Sequence, residues 1–295
     1  MGCGGRTNSH MARDSWPVST RPVALVTGAT AGIGEAIARR LQSRDHEVIA
    51  TGRNEQALDA LRARGLCARN LDVTDHGAVA ALVEEIDTRF GGVDVLVNNA
   101  GLGFASPLEQ AAMGDLRRIL ETNVVAMLNL CQTVLPGMRS RRAGTIVNIG
   151  STGGRFTTPG AGAYHISKYG VEALSDALRA EVERFGVRVI LIEPTGVRTT
   201  FAQSQLGATP IDEGDDPYGE FKRRYAEITA ELAKTPLVSV SADKVARVVV
   251  RAIEAKRPRA RYVVGMSGKA SVIAHCLLTD RMWDRVLLKR LNPTS

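Results

Sequence analysis

Short apolar runs and amphipathic stretches alternate along most of the chain. Residues 23–27, 47–53, 66–73, 93–100, 145–149 and 187–193 are short runs dominated by Val, Leu, Ile and Ala. Between them, 35–43, 54–64, 75–90, 107–142 and 162–185 carry apolar residues at helical spacing, with Asp75 placed to cap the third. Strands that are apolar on both faces belong to a parallel sheet covered from both sides. Joined by right-handed crossovers, they predict an α/β fold: a single doubly wound, Rossmann-type parallel sheet with helices on both faces.

The rhythm breaks at 201–236, a polar segment containing Asp212-Glu-Gly-Asp-Asp216 with a helix expected from Pro217. It follows the 187–193 strand at the carboxyl edge, where open α/β sheets bind ligands. It is therefore read as a substrate lid, with a long solvated loop as the alternative. Further on, Ile273, Leu277, Trp283, Leu287 and Leu291 recur at helical spacing beside a stripe of Arg281, Arg285 and Lys289. This predicts a basic amphipathic helix within 266–295. Residues 1–20 have no period and read as a flexible leader, which leaves 21–265 for the sheet domain.

Composition narrows the class. The 295 residues are 44% hydrophobic and 23% charged, values of an ordinary soluble domain. No run approaches ~18 apolar residues and no secretory signal is evident, so a cytoplasmic protein is expected. Cys3, Cys67, Cys131 and Cys276 lie far apart, without metal-ligand spacing, so no metal is expected. The net charge of +7 is carried wholly by 256–295, where nine Lys/Arg face two Asp. Nucleic acid is therefore not an expected partner, because it would want basic residues spread over a docking face. The tail instead has a choice of packing on its own domain, covering the cleft, meeting a partner subunit, or lying on an anionic membrane surface. Packing near the cleft is the reading adopted, with peripheral membrane contact kept open.

The turn after the first strand reads Thr27-Gly28-Ala-Thr30-Ala-Gly32-Ile33-Gly34 and opens a helix. Glycines let backbone approach a pyrophosphate, and a helix N-terminus presents free N–H groups and partial positive charge. The second strand ends Thr51-Gly52-Arg53, without the acid that would bind a ribose 2′-hydroxyl. Arg53 suits a 2′-phosphate, so NADP(H) is the expected cofactor. Asp72 and Val73 close the third strand and are expected beside the adenine, a turn role being the alternative for Asp72.

Tyr164 and Lys168 are four residues apart on an expected helix and so share a face. A tyrosine titrates near ~10, and a neighbouring ammonium is expected to lower that value. Tyr164 would then trade a proton with a carbonyl or alcohol oxygen. The set Thr27–Gly34, Asn98-Asn99-Ala100-Gly101, Asn123, Ser151 and Tyr164-His-Ile-Ser-Lys168 resembles the short-chain dehydrogenase/reductase family, over roughly 22–265. The resemblance implies that Lys168 also binds the nicotinamide ribose, Ser151 polarises the carbonyl and Asn123 holds a water in a proton relay. It implies further that Asn99, Ala100 and Gly101 lie near the adenosine ribose. Pro194, Val197 and Thr199 keep the offsets of the family's nicotinamide loop, although Thr195 stands where a glycine is usual. Homodimers or homotetramers are common in the family.

The expected activity is hydride transfer between NADP(H) and a carbonyl or secondary alcohol. The basic tail favours a lipophilic substrate of steroid, retinoid or long-chain ketone type. The alternatives are a 3-oxoacyl-thioester reductase and a nucleotide-binding regulator without turnover.

Overall fold

Seven strands line up in parallel in one sheet. They are β1 (Val23–Val26), β2 (Glu47–Gly52), β3 (Cys67–Asn70), β4 (Val95–Asn98), β5 (Gly144–Ile149), β6 (Val187–Pro194) and an edge strand, Arg261–Val264. The computed structural model describes residues 21–198, 216–235 and 239–291. The two-residue strands β7 (Val197–Arg198) and β8 (Val240–Ser241) pair separately, which makes the edge strand β9. The sheet order is β3-β2-β1-β4-β5-β6-β9, so the direction of winding reverses between β1 and β4 and opens a crevice at the carboxyl edge there.

Alternate residues of each strand feed two separate cores. Ala24 and Val26 of β1 join one face, with α1 (Gly32–Gln42), α2 (Glu55–Arg62) and α8 (Ala242–Glu254). Val23 and Leu25 join the other, with α3 (His76–Phe90), α5 (Ala126–Arg141) and α6 (Gly162–Val182). This double coverage is why the strands read as continuous apolar runs. The expected cap is present: Asp75 Oδ1 accepts from the Ala78 N–H at 2.9 Å.

Three elements differ from the sequence reading. The stretch 107–142 is not one helix. A 3₁₀ turn (Leu108–Gln110) leads into α4 (Met113–Leu120), and a single π turn (Glu121–Val125) separates α4 from α5. The wide turn holds Asn123, whose buried side chain is pulled inward by hydrogen bonds to Leu102 and Ser167. The tail is likewise two helices, α9 (Met266–Leu277) and α10 (Asp280–Leu291), separated by extended backbone at Leu278. That break takes them off a common face, so Trp283 is buried while Ile273 and Leu277 are 60% and 79% exposed. Finally, α8 and β9 occupy a segment in which the sequence reading places no element. Of the lid segment, α7 (Gly219–Lys234) is a helix as expected; residues 201–215 and 236, like the leader 1–20 and Thr199, lie outside the described residues. Among those described, no helix is long and apolar enough to cross a membrane.

Candidate active site

The glycine-rich turn is built for close approach. Gly28 and Gly32 both have φ +61°, a left-handed conformation that side chains rarely adopt. Gly34 lies beneath the turn, where a Cβ would run into the Gly28 carbonyl and come within 2.5 Å of Asn99 Nδ2. Asn99 is the clamp. Its Nδ2 donates to the Thr27 and Gly28 carbonyls at 3.0 Å each, and its N–H donates to Thr27 Oγ1 at 3.0 Å. The end of β4 therefore fixes the shape of the turn after β1. Gly28, Thr30, Gly32 and Ile33 line one end of a cavity of about 1100 Å³, with Arg53, Asp72 and Val73 beside them.

Arg53 Nη1 donates to Asp72 Oδ2 at 3.3 Å, and both side chains are largely exposed. The other oxygen, Asp72 Oδ1, accepts from the Thr74 N–H and hydroxyl at 3.0 and 2.8 Å. Asp72 thus shapes the turn after β3, the alternative role weighed for it, and also lines the cavity. Although burial opposes it, these bonds hold its carboxyl below the usual carboxylate range.

Ser151, Tyr164 and Lys168 also line the cavity, together with Ala100, Gly101, Pro194 and Val197. Ser151 follows β5 with extended backbone, and its Oγ accepts from the Gly153 N–H at 3.0 Å. The Ser151 hydroxyl faces the Tyr164 side chain, in the first turn of α6, and favours its ionised form. Lys168 is 7% exposed; its Nζ donates to the Ile149 carbonyl at 3.0 Å and lies 5.8 Å from the centre of the Tyr164 ring. The structure corrects one expectation about this pair. Burial, partly opposed by Ser151, pushes the Tyr164 phenol up to about 12. Burial also brings the Lys168 ammonium down to about 8. Desolvation outweighs the ammonium because its short bond is made to Ile149, not to the phenol oxygen.

Asn123 does not line the cavity. Its Oδ1 accepts from the Leu102 N–H at 2.7 Å, while Nδ2 donates to the Leu102 carbonyl and to Ser167 Oγ at 2.9 Å each. It ties the loop after β4 to α6 behind Tyr164. The loop whose path was open after β6 is fixed by its backbone: the Thr195 N–H donates to Val264 and the Gly196 carbonyl accepts from Val240, at 3.0 and 2.8 Å.

The cavity is lined also by Phe156 and Thr158, by Ile228 and Leu232 of α7, and by Ser267 and Lys289 of the tail. Trp283 packs edge-on against Phe156, with ring centres 5.4 Å apart. The tail therefore packs beside the cleft, the reading adopted for it. Sequence reasoning missed His165, buried beside Tyr164. Its Nε2 accepts from the Thr158 N–H at 3.1 Å, which leaves the ring proton on Nδ1, 2.7 Å from the Gly153 carbonyl. His165 thereby ties down the loop between Ser151 and Thr158. Among the described residues no group of three or more His, Cys, Asp or Glu could hold a metal ion.

Residues 22–209 match the profile of the short chain dehydrogenase family. The chain belongs to that family. A short-chain dehydrogenase relative from Ornithobacterium rhinotracheale, described as an NADPH-dependent 3-dehydrocapnine reductase, is 33% identical over 91% of this chain and 97% of its own. A 3-ketodihydrosphingosine reductase from Bacteroides thetaiotaomicron is 35% identical over 71% of this chain and 76% of its own. Among solved structures, an actinorhodin polyketide ketoreductase variant with NADPH superimposes with a TM-score of 0.70 at 34% identity. That match covers 84% of this chain and 97% of the ketoreductase.

Proposed function

We propose that this short-chain dehydrogenase uses NADP(H) to reduce a ketone on a lipophilic molecule, of steroid, retinoid or long-chain type. The observation that carries the reading is that Ser151, Tyr164 and Lys168 line one cavity together with Arg53 and Phe156. The cradle fits a dinucleotide, because Gly28 and Gly32 adopt the left-handed turn that opens α1 and both line the cavity. When bound, the cofactor supplies or takes up the hydride at the reacting carbon.

Each residue then has a stated task. Gly28, Thr30, Gly32, Ile33 and Gly34 bring backbone N–H groups to the pyrophosphate. Arg53 takes the 2′-phosphate, with Asp72 and Val73 beside the adenine. Asn99, Ala100 and Gly101 border the adenosine ribose; Pro194, Val197 and Thr199 border the nicotinamide amide. Lys168 holds the nicotinamide ribose. Ser151 donates a hydrogen bond to the substrate carbonyl, and Tyr164 gives that oxygen its proton. Tyr164 is protonated at neutral pH, the form needed to act as the acid in reduction. Asn123, anchored through Leu102 and Ser167, holds a water of the proton relay at the wide turn.

The substrate class rests on the apolar lining residues Phe156, Ile228 and Leu232, with Trp283 packed on Phe156. The two reductases named above support a ketone substrate. Exposed Val125 and Leu128 beside Ile166 and Tyr169 of α6 suit pairing of subunits into a homodimer or homotetramer. Exposed Met266, Ile273 and Leu277 of α9 suit rest on an anionic membrane surface, which sedimentation with anionic liposomes at low salt tests. The deciding experiment is an NADPH-oxidation screen across steroid, retinoid, long-chain aliphatic and acyl-thioester carbonyls. Turnover of lipophilic ketones above acyl thioesters is expected. The reverse order would favour the acyl-thioester reductase, and tight NADPH binding without any turnover would favour a non-catalytic regulator.

A further inference from the structure

Behind the Ser151 turn lies a second ionisable cluster that hydride transfer does not use directly. Tyr164, Lys168 and Glu172 follow one another at four-residue steps along α6, so Glu172 is on the face that carries the site. Glu172 is 8% exposed, and Glu193 of β6 is fully buried. Both carboxyl groups face one nitrogen: Arg261 Nε lies 3.2 Å from Glu172 Oε2 and 3.8 Å from Glu193 Oε1. Arg155 Nη1 donates to the same Glu193 oxygen at 3.3 Å. The remaining oxygens, Glu172 Oε1 and Glu193 Oε2, are buried and receive no donor from any other described residue. Because both carboxyl groups converge on the one Arg261 Nε, they stand side by side in this buried site. As carboxylates both would only accept, so a bond between them requires a proton on one.

We propose that Glu172 and Glu193 share one proton, and that this acid pair is a positioning element which supports the Ser151 turn and sets the charge of Lys168 from behind. The packing places it there. A Cβ on Gly154 would lie 3.1 Å from Glu172 Oε1, and one on Gly150 would lie 3.6 Å from it, and these glycines flank Ser151. Burial first, and then the adjacent Glu193, hold the Glu172 carboxyl far above the ordinary carboxylate range. Glu172 in turn acts on Lys168, opposing the loss of its proton on burial. The other charged or titratable neighbours are Asp176 and Tyr169 of α6, Arg155 after the Ser151 turn and Arg261 of β9. Asp176 is engaged by Arg261 and by Arg179, and Tyr169 is exposed.

The sign follows. Below neutral pH the pair carries one negative charge. When its proton leaves at higher pH, a second negative charge appears one helical turn from Lys168 and holds the ammonium longer. A glutamine at 172 donates to Glu193 permanently and cannot add that charge.

The test uses the full chain with Glu172→Gln, and Glu193→Gln as the same change from the other side. The first readout is stability against pH. A carboxyl whose folded value is raised contributes stability that is present below its unfolded value near 4.5 and is lost as pH rises through the folded value. Wild type should therefore lose stability from pH 5 to 9 more steeply than either variant. This readout needs no turnover, so it holds even if the ketone-reductase reading, on which the catalytic role rests, fails. The second readout is the alkaline limb of kcat/KM, which should move to lower pH by ~1 unit in Glu172→Gln, the variant that removes the charge beside Lys168. A stability slope equal to wild type in either variant would overturn the shared proton. An unmoved alkaline limb would overturn the role toward Lys168.

Discussion

The side chain of Thr195 occupies the space that a Cβ on Gly268 would need: built there, such an atom would lie 2.8 Å from Thr195 Cβ and 3.1 Å from its Oγ1. Gly265 faces the same threonine at φ +120°. The loop after β6 can thus carry a threonine in place of the usual glycine because two glycines on the tail side make room. Gly268→Ala should cost ~1–3 kcal/mol through overpacking, read as a lowered melting temperature. Adding Thr195→Gly should recover part of that loss. The Thr152 methyl, also 2.8 Å away, accounts for the remainder. A double variant no more stable than Gly268→Ala would mean that the two residues are not coupled.

Trp283 connects the tail to the cleft through Phe156 and His275, with ring centres 5.4 and 5.1 Å away. Replacing it with alanine removes a large buried side chain, a change that typically costs ~3–5 kcal/mol in a core. KM for bulky ketones should rise more than KM for a small ketone, because Phe156 loses its backing. Equal KM changes for both would detach the tail from substrate recognition.

Arg53 is poised at the cofactor end with its guanidinium against Asp72. Arg53→Asp removes a charged hydrogen bond worth ~1.5–3 kcal/mol, roughly 10- to 150-fold. Binding titrations should show NADPH weakened by that order and NADH improved relative to it. Equal responses to the two cofactors would exclude Arg53 as the 2′-phosphate partner.

His165 gives the fold a pH dependence of definite sign. Burial lowers its value below the ordinary 6.5. An unfolded chain then takes up a proton that the folded chain refuses, so stability is present above 6.5 and is lost as pH falls through the folded value. Thermal melts from pH 8 to 5 should show a steeper decline for wild type than for His165→Gln. Parallel curves would remove His165 from the account.

Much of this arrangement is legible in the sequence because its signals are local. The turn Thr27–Gly34, the Ser151–Tyr164–Lys168 spacing and the apolar strands all report on backbone conformation or on one face of one element. What escaped reading is non-local. Asn99 acts on a turn some seventy residues earlier in the chain. Glu172, Glu193 and Arg261 meet only when α6, β6 and β9 come together. Strand β9 is a four-residue edge strand, mostly half-buried, and offers little pattern. Helix α8 did carry a signal, in Val245, Val249 and Ile253, all buried on one face. The direction of the Tyr164 shift was misjudged because burial depth is not encoded in the spacing to Lys168.

In the proposed NADPH-dependent ketone reduction, Tyr164 is the group that gives the proton. Tyr164→Phe removes one hydroxyl and almost no volume. The direct measurement is NADPH oxidation by wild type and variant side by side, on the best lipophilic ketone, with cofactor affinity taken from NADPH fluorescence. General acid catalysis contributes ~10²–10⁴-fold, so turnover should fall at least ~100-fold while NADPH affinity stays unchanged. A variant that turns over near the wild-type rate would contradict the claim outright.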